Sequence, residues 1–246
     1  MKKRIWVITL FPDFFEAFKE AGIISSLFKG QRGFELSLET VQLREFSSTD
    51  YKGVDDAPYG GGPGMVMRAD VLARALNEGV VKVGGYDSLD QLEVIYTSPR
   101  GETWNHDLCQ DFAQTYFHED SRDLVFICGR YEGIDERFIE RYVTRILSLG
   151  DYVLTGGELA VMAMIDSFVR FIPGVLGNRQ SALEESFQSG LLEHPQYTRP
   201  RVFEGLEVPQ VLLSGHHEKI LAYQTAEQLR LTKLHRPELL TKKDHP

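Results

Sequence analysis

The stretch FICGRYEGIDER, residues 126–137, decides the fold of this chain. Its apolar beginning, together with the residues from Leu124, predicts a buried strand, and the pattern from Ile134 onward predicts a helix. Between them lies a short loop with two glycines, Gly129 and Gly133, two opposite charges and an aromatic ring. A loop of this kind at a strand end is typical of α/β proteins, in which ligands bind beyond the carboxyl ends of the strands.

Strand and helix patterns alternate along most of the chain. The predicted strands are 4–10, 34–43, 93–98, 123–129 and 152–157. The predicted helices are one that begins at Asp13, one from Asp70 to a stop at Gly79, and the segments 105–117, 134–143 and 158–171. This alternation predicts a mainly parallel sheet covered by helices, followed after Pro209 by a helical C-terminal part.

The length and charge set broad limits on function. With 246 residues the chain has room for one large domain or two smaller ones. The formal net charge of −9 argues against broad, nonspecific attraction to nucleic acid. Residues 190–246 are nearly balanced, however, with 8 Lys/Arg, 7 Asp/Glu and 5 of the 7 histidines. Local contacts with RNA therefore stay open.

Neither a membrane nor secretion is expected for this chain. No apolar stretch reaches the length of a membrane span. The N-terminal MKKRIWVITLF is better explained by a strand than by a signal peptide, because its apolar run is short and Pro12 follows it. Of the two cysteines, Cys109 and Cys128, the second lies in a predicted buried strand, which favours a reduced, cytoplasmic setting.

Three predicted strands end in glycine-containing loops within one 65-residue stretch. Strand 93–98 runs into Pro99–Gly101, strand 123–129 into the opening stretch, and strand 152–157 into Glu158 and a helix. A single loop is explained by a turn, because glycine commonly ends a strand. Three together predict one composite ligand pocket. It lacks the GxxxxGK[ST] and GxGxxG patterns of the usual phosphate sites.

Two further segments are candidates for the site. PYGGGPGM, residues 58–65, is typical of a flexible lid or substrate loop, with a long connection as the alternative. The segment 158–171 is apolar on nearly every side and predicts a buried or interface helix. Asp166 and Arg170 interrupt it four residues apart, and an ion pair is a sufficient explanation for Asp166. Arg170, at the helix exit before FIPGVLG, is placed to reach into a site.

A set of motifs gives the chain a specific resemblance. In chain order they are PYGGGPGM, SPRG, CGRYEGIDER, SLGDYVLTGGEL, RFIPGVLG, ESF, YTRP and VLLSGHH. Over nearly its whole length the chain closely resembles the TrmD family of bacterial tRNA (guanine-37 N1)-methyltransferases. The resemblance implies an α/β fold of the SPOUT type, with a parallel sheet, helices on both faces, a deep trefoil knot and a small all-α C-terminal domain. It also implies an obligate homodimer with its active site at the subunit interface.

The same resemblance implies the domain boundaries of the chain and its ligands. Residues 1–174 correspond to the methyltransferase domain, the polar segment 175–190 to an interdomain linker, and 191–246 to a helical tRNA-binding domain. The implied methyl donor is S-adenosylmethionine, the implied substrate is tRNA, and a requirement for Mg²⁺ is implied as well. No protein side chains are predicted as metal ligands.

The cofactor-binding residues follow from the three loops that match the family. They are Tyr96, Thr97, Ser98, Pro99, Gly101, Gly129, Tyr131, Glu132, Gly133, Leu149, Gly150, Tyr152, Leu154, Gly156 and Gly157. The glycines would let backbone amides and carbonyls reach adenine and ribose. Tyr131 and Tyr152 offer flat surfaces, Leu154 an apolar one, and Glu132 a carboxylate for the donor's polar groups or its positive sulfur.

The catalytic residues implied by the resemblance are Glu185 and Arg170. The family has an aspartate before Ser-Phe as the general base, whereas this chain has Glu185, with a carboxylate roughly 1.5 Å further out. Glu184 is the alternative base, and without the resemblance both acids are best explained as solvated linker residues. Arg170 corresponds to the arginine that stabilises negative charge on O6 of guanine.

Substrate contacts are implied for Tyr59, Gly60, Arg130, Arg199 and His217. The basic residues of the C-terminal part could also hold tRNA phosphates, although charges on helices are more often solvated than bound. His216, His217 and Glu218 with His194 do not fit a structural zinc pattern.

Two other functions remain open from the sequence. One is a related methyltransferase that acts on the ribose 2′-hydroxyl and needs no base at N1. The other is a catalytically silent RNA-binding module, which the glutamate at position 185 makes worth considering.

Overall fold

The computed structural model describes residues 2–30, 35–48, 51–118, 120–175, 186–187 and 189–241. The chain divides into two compact units, Met1–Gly177 and Asn178–Pro246. The cofactor-binding residues predicted from the sequence all fall in the first unit, whereas Arg199 and His217 fall in the second.

The first unit is built on a five-stranded sheet. Its strands are β1 (Lys2–Thr9), β2 (Glu35–Gln42), β5 (Leu92–Thr103), β6 (Asp123–Cys128) and β7 (Arg145–Ser148). They lie in the order β2-β1-β6-β5-β7, and every neighbouring pair is parallel. The two-residue strands β3 (Asp55–Asp56) and β4 (Val66–Met67) form a separate antiparallel pair.

Helices cover both faces of this sheet. They are α1 (Asp13–Lys19), α2 (Gly22–Phe28), α3 (Ala69–Arg74), α4 (His106–Tyr116), α5 (Glu136–Tyr142) and α6 (Glu158–Val169). A π-helical segment, Ala75–Lys82, continues α3, and short 3₁₀ turns lie at Leu43–Phe46 and Leu89–Gln91. Among the described helices of the chain, none has both the length and the apolar character needed to cross a membrane.

The side chains of each central strand alternate between two separate cores. Ile5 and Val7 of β1 pack in the core that α1, α2, α4 and α6 cover. Trp6 and Ile8 pack in the core that α3, the π-helical segment and α5 cover. Because parallel strands are buried on both faces, each one contributes to both cores. The predicted α/β fold with a parallel sheet is therefore confirmed.

The predicted strand at 152–157 is wrong. Residues 149–157 form a loop, and the edge strand is β7, which ends at Ser148. The side chains of Tyr152 and Val153 are 54% and 84% exposed. An apolar run was the only basis for predicting a strand here, and in the fold these side chains face outward beside a cavity instead of entering a core.

The predicted helix stop at Gly79 is also wrong, because the π-helical segment continues through it to Lys82. A Cβ atom on this glycine would lie 2.7 Å from side-chain carbons of both Val41 and Phe46. Close packing between the helix and the end of β2 thus explains a glycine at this position.

The described residues of the second unit form two helices, α7 (His217–His235) and α8 (Glu238–Thr241), and a 3₁₀ turn at Gln210–Leu213. The unit also contains an antiparallel ribbon of β8 (Val202–Phe203) and β9 (Leu206–Glu207), so the prediction of an all-α C-terminal domain needs this correction. The turn residues Glu204 and Gly205 both have positive φ, +50° and +83°, as a two-residue hairpin turn requires.

Candidate active site

A cavity of about 240 Å³ lies at the carboxyl ends of β6 and β7, beside the middle of β5. Its walls are the segments 96–99, 129–133 and 147–157, together with Ala160 at the start of α6. All the cofactor-binding residues predicted from the sequence line this cavity, except Gly101. The structure therefore brings the three predicted segments together, and their role in binding stays a prediction. The first of them, Pro99–Gly101, was predicted as a loop after a strand, but it lies within β5, which continues to Thr103.

The loop before α6 passes extremely close to the middle of β5 and the end of β6. A Cβ atom on Gly157 would lie 2.4 Å from Oγ1 of Thr97, 2.8 Å from Cα of Cys128 and 2.9 Å from the nitrogen of Gly129. The Gly157 amide also donates a hydrogen bond to the Gly129 carbonyl at 2.9 Å. Since two of the three neighbouring atoms belong to the backbone, a side chain at this position cannot be accommodated by rotating a neighbour.

Gly101 supports the wall of the cavity from outside. A Cβ atom here would lie 2.5 Å from the carbonyl carbon of Ile146 and from the nitrogen of Leu147. At this point β5 shifts register and continues alongside β7, so that Glu102 pairs with Leu147. Gly101 thus allows the backbones of β5 and β7 to approach each other. It was predicted to line the cofactor site, but it lies behind the cavity wall.

The loop that follows β6 has an unusual backbone. Tyr131 has φ +59°, which is uncommon for a residue with a side chain, and Gly133 has φ +121°. The Tyr131 ring is 50% exposed at the cavity. Partial burial, and then the negative charge of Asp55, raises the pKa of its phenol. Such backbone strain is often found at ligand sites, which fits a binding loop.

The predicted lid, residues 58–65, is attached to this loop at one end. The Met65 carbonyl accepts a hydrogen bond from the Glu132 amide at 3.0 Å. The Glu132 carboxylate lies over Gly64, where a Cβ atom would come within 2.4 Å of Oε1. Tyr59 is 98% exposed, and Gly60 has φ +87° with open space around it. The tip of the segment, Tyr59 and Gly60, is thus accessible to a ligand. Its last residues, Gly64 and Met65, contact Glu132 at the cavity.

Arg130, predicted as a substrate contact, points toward Glu158 instead of outward. Its Nη2 lies 2.8 Å from Oε2 of this buried carboxylate. Glu158 was not among the site residues predicted from the sequence. The available signal was an acidic residue at the first position of a mostly apolar helix, directly after two glycines.

The thiol of Cys128 lies behind the cavity and is fully buried. Burial, and then the negative charge of Glu158, raises the pKa of this thiol well above its ordinary value. The cysteine therefore stays neutral, and it serves as packing instead of a nucleophile.

Of the predicted catalytic residues, Arg170 falls in the described part of the chain, and it does not line the cavity. Arg170 is exposed at the C-terminal end of α6, whereas Gly157 lies at the N-terminal end, about 20 Å away at 1.5 Å per helical residue. Glu185 and the alternative Glu184 lie outside the described residues. In the described part of one chain, Arg170 and the cavity are therefore separated.

The remaining predicted contacts are placed as follows. Arg199 and His217 are exposed in the second unit, and His217 is the first residue of α7. In the described ranges, no group of three or more His, Cys, Asp or Glu side chains is arranged to hold a metal ion. The Mg²⁺ requirement stays a prediction.

Comparison with known proteins gives a consistent result. A family model described as "tRNA (Guanine-1)-methyltransferase TrmD" matches residues 3–242. A tRNA (guanine-N(1)-)-methyltransferase of Lactobacillus delbrueckii subsp. bulgaricus is 46% identical over 239 residues, covering 97% of this chain and 89% of its own length. Enzymes with the same name from Cereibacter sphaeroides and Clostridium tetani are 46% and 43% identical over 242 residues, covering 97% and 98% of this chain and 93% and 94% of theirs.

Replacing Gly157 by alanine tests whether the crowded region around it forms the cofactor site. The added methyl group has no space, so we expect a loss of about 1–3 kcal/mol in the free energy of unfolding, measured with urea. We also expect no measurable heat on titration with S-adenosylmethionine.

Gly85→Asn is the matched control for this variant. Gly85 has φ +71° with nothing within 4 Å of an added Cβ, and asparagine tolerates this conformation. Wild-type affinity for S-adenosylmethionine in Gly157→Ala would contradict the assignment of the cavity.

Proposed function

Because the chain belongs to the TrmD family of tRNA (guanine-1)-methyltransferases, we propose that it transfers a methyl group from S-adenosylmethionine to N1 of guanine 37 in tRNA. Membership of this family identifies the chain as an enzyme that methylates tRNA. The observation that carries the finer proposal is the convergence of three segments on one cavity, one within β5 and two that follow β6 and β7. These segments belong to the motifs SPRG, CGRYEGIDER and SLGDYVLTGGEL.

The residues around the cavity fit S-adenosylmethionine, which supplies a methyl group on a positively charged sulfur. Gly129, Gly133 and Gly156 line the cavity without side chains of their own, so a ligand can approach their backbone closely. Leu154 adds an apolar surface and Glu132 a carboxylate on the same lining. This mixture of a few polar groups and flat or apolar surfaces suits a molecule with a base, a sugar and a charged sulfur.

Glu185 acts as the general base in this proposal. N1 of guanine carries a proton at neutral pH and becomes a good nucleophile only when that proton leaves. A carboxylate beside N1–H removes it, and such general-base catalysis typically contributes about 10²–10⁴-fold to the rate. The Glu185 side chain is one carbon longer than the aspartate expected from the family, so the backbone of the linker has to set it further back.

Arg170 stabilises the charge that this proton transfer creates. Loss of the N1 proton shifts negative charge onto O6, and a guanidinium directed at O6 acts as an oxyanion-hole donor does. The target base also has to leave its stack before its N1 edge can enter a cavity.

The distance between Arg170 and the cavity favours a site shared by two copies of the chain. Leu159, Ala163, Asp166 and Arg170 are exposed along one face of α6, at helical spacing. The Leu159 side chain is 50% exposed. This face is therefore accessible to a second copy of the chain. If a second copy packs antiparallel along this face, its Arg170 lies at the Leu159 end, beside the cavity. We therefore propose a homodimer.

A trefoil knot is part of the proposal and has support in the chain path. After its register shift β5 runs alongside the end of β7, where Thr103 pairs with Ser148. The segment that follows β7 then returns to the end of β6, where Gly157 hydrogen-bonds to Gly129. These two contacts bring the segments after β5 and β7 together at one end of the sheet, which is where the proposed knot would lie.

The second unit supplies the tRNA contacts in this proposal. Its exposed Arg199 and His217, and the neighbouring Arg201 and Lys219, are suited to phosphate groups. Tyr59 and Gly60 at the tip of the lid would meet the target nucleotide. We place the reaction in the cytoplasm because tRNA is its substrate and Cys109 and Cys128 are both free thiols.

The direct test is transfer of a labelled methyl group from S-adenosylmethionine to a tRNA transcript with G36-G37. We expect label on the unmodified transcript and on one with 2′-O-methylguanosine at position 37, because N1 is still free. A transcript with 1-methylguanosine at position 37 should accept none, and chelation of Mg²⁺ should reduce the rate. Transfer to the 1-methylguanosine transcript but not to the 2′-O-methyl one would identify a ribose methyltransferase. No transfer to any transcript would identify a silent RNA-binding module.

Glu185→Gln tests the general base. An amide cannot take the N1 proton, so we expect single-turnover methylation to fall by about 10²-fold or more, with unchanged affinity for S-adenosylmethionine. Glu184→Gln is the neighbouring control and should keep most of the activity. If Glu185→Gln turns over like the wild type, Glu185 is not the base.

Mixing two inactive variants tests whether the site is shared. In a mixed dimer, Arg170→Ala keeps an intact cavity and Gly157→Ala keeps an intact Arg170, so one complete site forms. Random mixing should therefore restore about one quarter of wild-type activity, because half of the dimers are mixed and each has one of two sites intact.

Either variant alone should stay inactive in the same assay. If Gly157→Ala does not fold, Leu154→Asp serves in its place, since Leu154 lines the cavity without being fully buried. No recovery on mixing, with mixed dimers demonstrated by affinity tags, would show that each chain contains its own complete site.

A further inference from the structure

A buried carboxylate lies directly behind the wall of the cavity. Glu158, the first residue of α6, is only 1% exposed. It accepts a hydrogen bond from Oγ1 of Thr9 at 2.7 Å and from two nitrogens of Arg130, Nε at 3.1 Å and Nη2 at 2.8 Å. A buried charge needs such partners, because without them it loses its hydration with no compensation.

The Arg130 side chain makes two further contacts within its own chain. Its remaining nitrogen, Nη1, donates to the carbonyl of Thr155 at 3.0 Å, and its guanidinium carbon lies 4.4 Å from the centre of the Phe11 ring. The Phe11 amide in turn donates to Oγ1 of Thr9 at 3.0 Å. We refer to Thr9, Phe11, Arg130, Thr155 and Glu158 as the Glu158 clasp.

The clasp joins the end of β1 to two of the loops that form the cavity. Arg130 and Thr155 themselves line the cavity, one in each loop. Gly156 lies against the ion pair, and a Cβ atom there would be 2.1 Å from Nε of Arg130 and 2.6 Å from Oε2 of Glu158. The backbone of the 155–157 segment therefore takes its position from the arginine and the carboxylate.

We propose that Glu158 is a positioning residue for cofactor binding, and that Arg130 serves the clasp and not the tRNA backbone. This inference rests on the proposed function, because the ligand that it positions is S-adenosylmethionine. A buried ion pair is weak as a source of net stability but strong in fixing one arrangement of the groups around it. Each guanidinium nitrogen already donates within the chain, and Phe11 covers one face of the group.

Glu158→Gln in the full-length protein tests the clasp. The amide keeps the shape but loses the charge and one acceptor, so the two loops are held less firmly. We expect the dissociation constant and the KM for S-adenosylmethionine to rise by about tenfold or more, the loss expected when one charge-assisted contact is weakened. At saturating S-adenosylmethionine, kcat should return to within about twofold of wild type, because an interaction that acts on binding alone leaves kcat unchanged.

A purely stabilising ion pair would give a different pattern, and Glu93→Gln is the matched control for it. Glu93 is also a buried glutamate paired with an arginine, with Nη1 of Arg122 at 2.8 Å, but it lies at the amino end of β5, away from the cavity. The two variants should lower the unfolding midpoint in urea to a similar extent. Only Glu158→Gln should change the affinity for S-adenosylmethionine.

Arg130→Lys separates the clasp from a role in binding tRNA. Lysine keeps the charge but lacks the planar fork that meets Glu158 and Thr155 together. We expect weaker binding of S-adenosylmethionine with unchanged binding of the tRNA transcript, measured by filter binding without cofactor. Weaker tRNA binding with unchanged affinity for S-adenosylmethionine would overturn the proposal.

The remaining outcomes are also decisive. Equal binding of S-adenosylmethionine by wild type and Glu158→Gln would overturn the clasp alone, whereas no binding by the wild type would overturn the proposed function and the clasp with it. If Glu158→Gln does not fold, Thr9→Val removes one donor to Glu158 with little change in shape. That variant should raise the dissociation constant by about threefold, the effect of losing one ordinary hydrogen bond, and an unchanged value would overturn the clasp.

Discussion

Close contact of Gly157 with Thr97 in the middle of β5 and with the carboxyl end of β6 is the constraint on which the rest of the site depends. Gly157 meets Thr97, Cys128 and Gly129 with no room for a side chain. Through this contact the loop that follows β7 reaches the end of β6, and α6 begins at the next residue. Because the three loops are fixed against one another there, they enclose one cavity instead of forming three separate turns. The fold therefore requires a glycine at this position, independently of any role in binding.

Around this contact a buried layer of side chains supports the cavity wall, and an exposed segment lies beside it. Glu158, buried behind the cavity, pairs with Arg130 of the cavity wall, and the neutral thiol of Cys128 lies close to the carboxylate. In front, the tip of the 58–65 segment is exposed, and Met65 at its end is hydrogen-bonded to Glu132. Such a division suits an enzyme that has to hold a small cofactor in a fixed pose and admit a large RNA from one side.

The length of α6 explains why a second copy of the chain belongs to the proposed mechanism. The helix carries the cavity at its N-terminal end and Arg170 at its C-terminal end, about 20 Å apart. A single rigid helix cannot bring its two ends together. Two helices that lie antiparallel solve this problem, since each places its C-terminal end beside the N-terminal end of the other. The exposed face of α6, which includes Leu159, is available for that contact.

Local patterns in the sequence determined the alternation of strands and helices, the parallel sheet between two cores, and the loops that form the cavity. These features depend on the period of apolar residues and on glycine at strand ends, which act over a few neighbouring residues. Only the tertiary structure decided the features that depend on distant neighbours. Apolar residues at 152–154 were predicted as a strand but face outward at the cavity. Gly79 and Gly101 are required by packing against segments remote in sequence. Arg130 was predicted to contact tRNA, but it pairs with Glu158. The two residues are 28 positions apart in the sequence, so local periodicity cannot predict this ion pair.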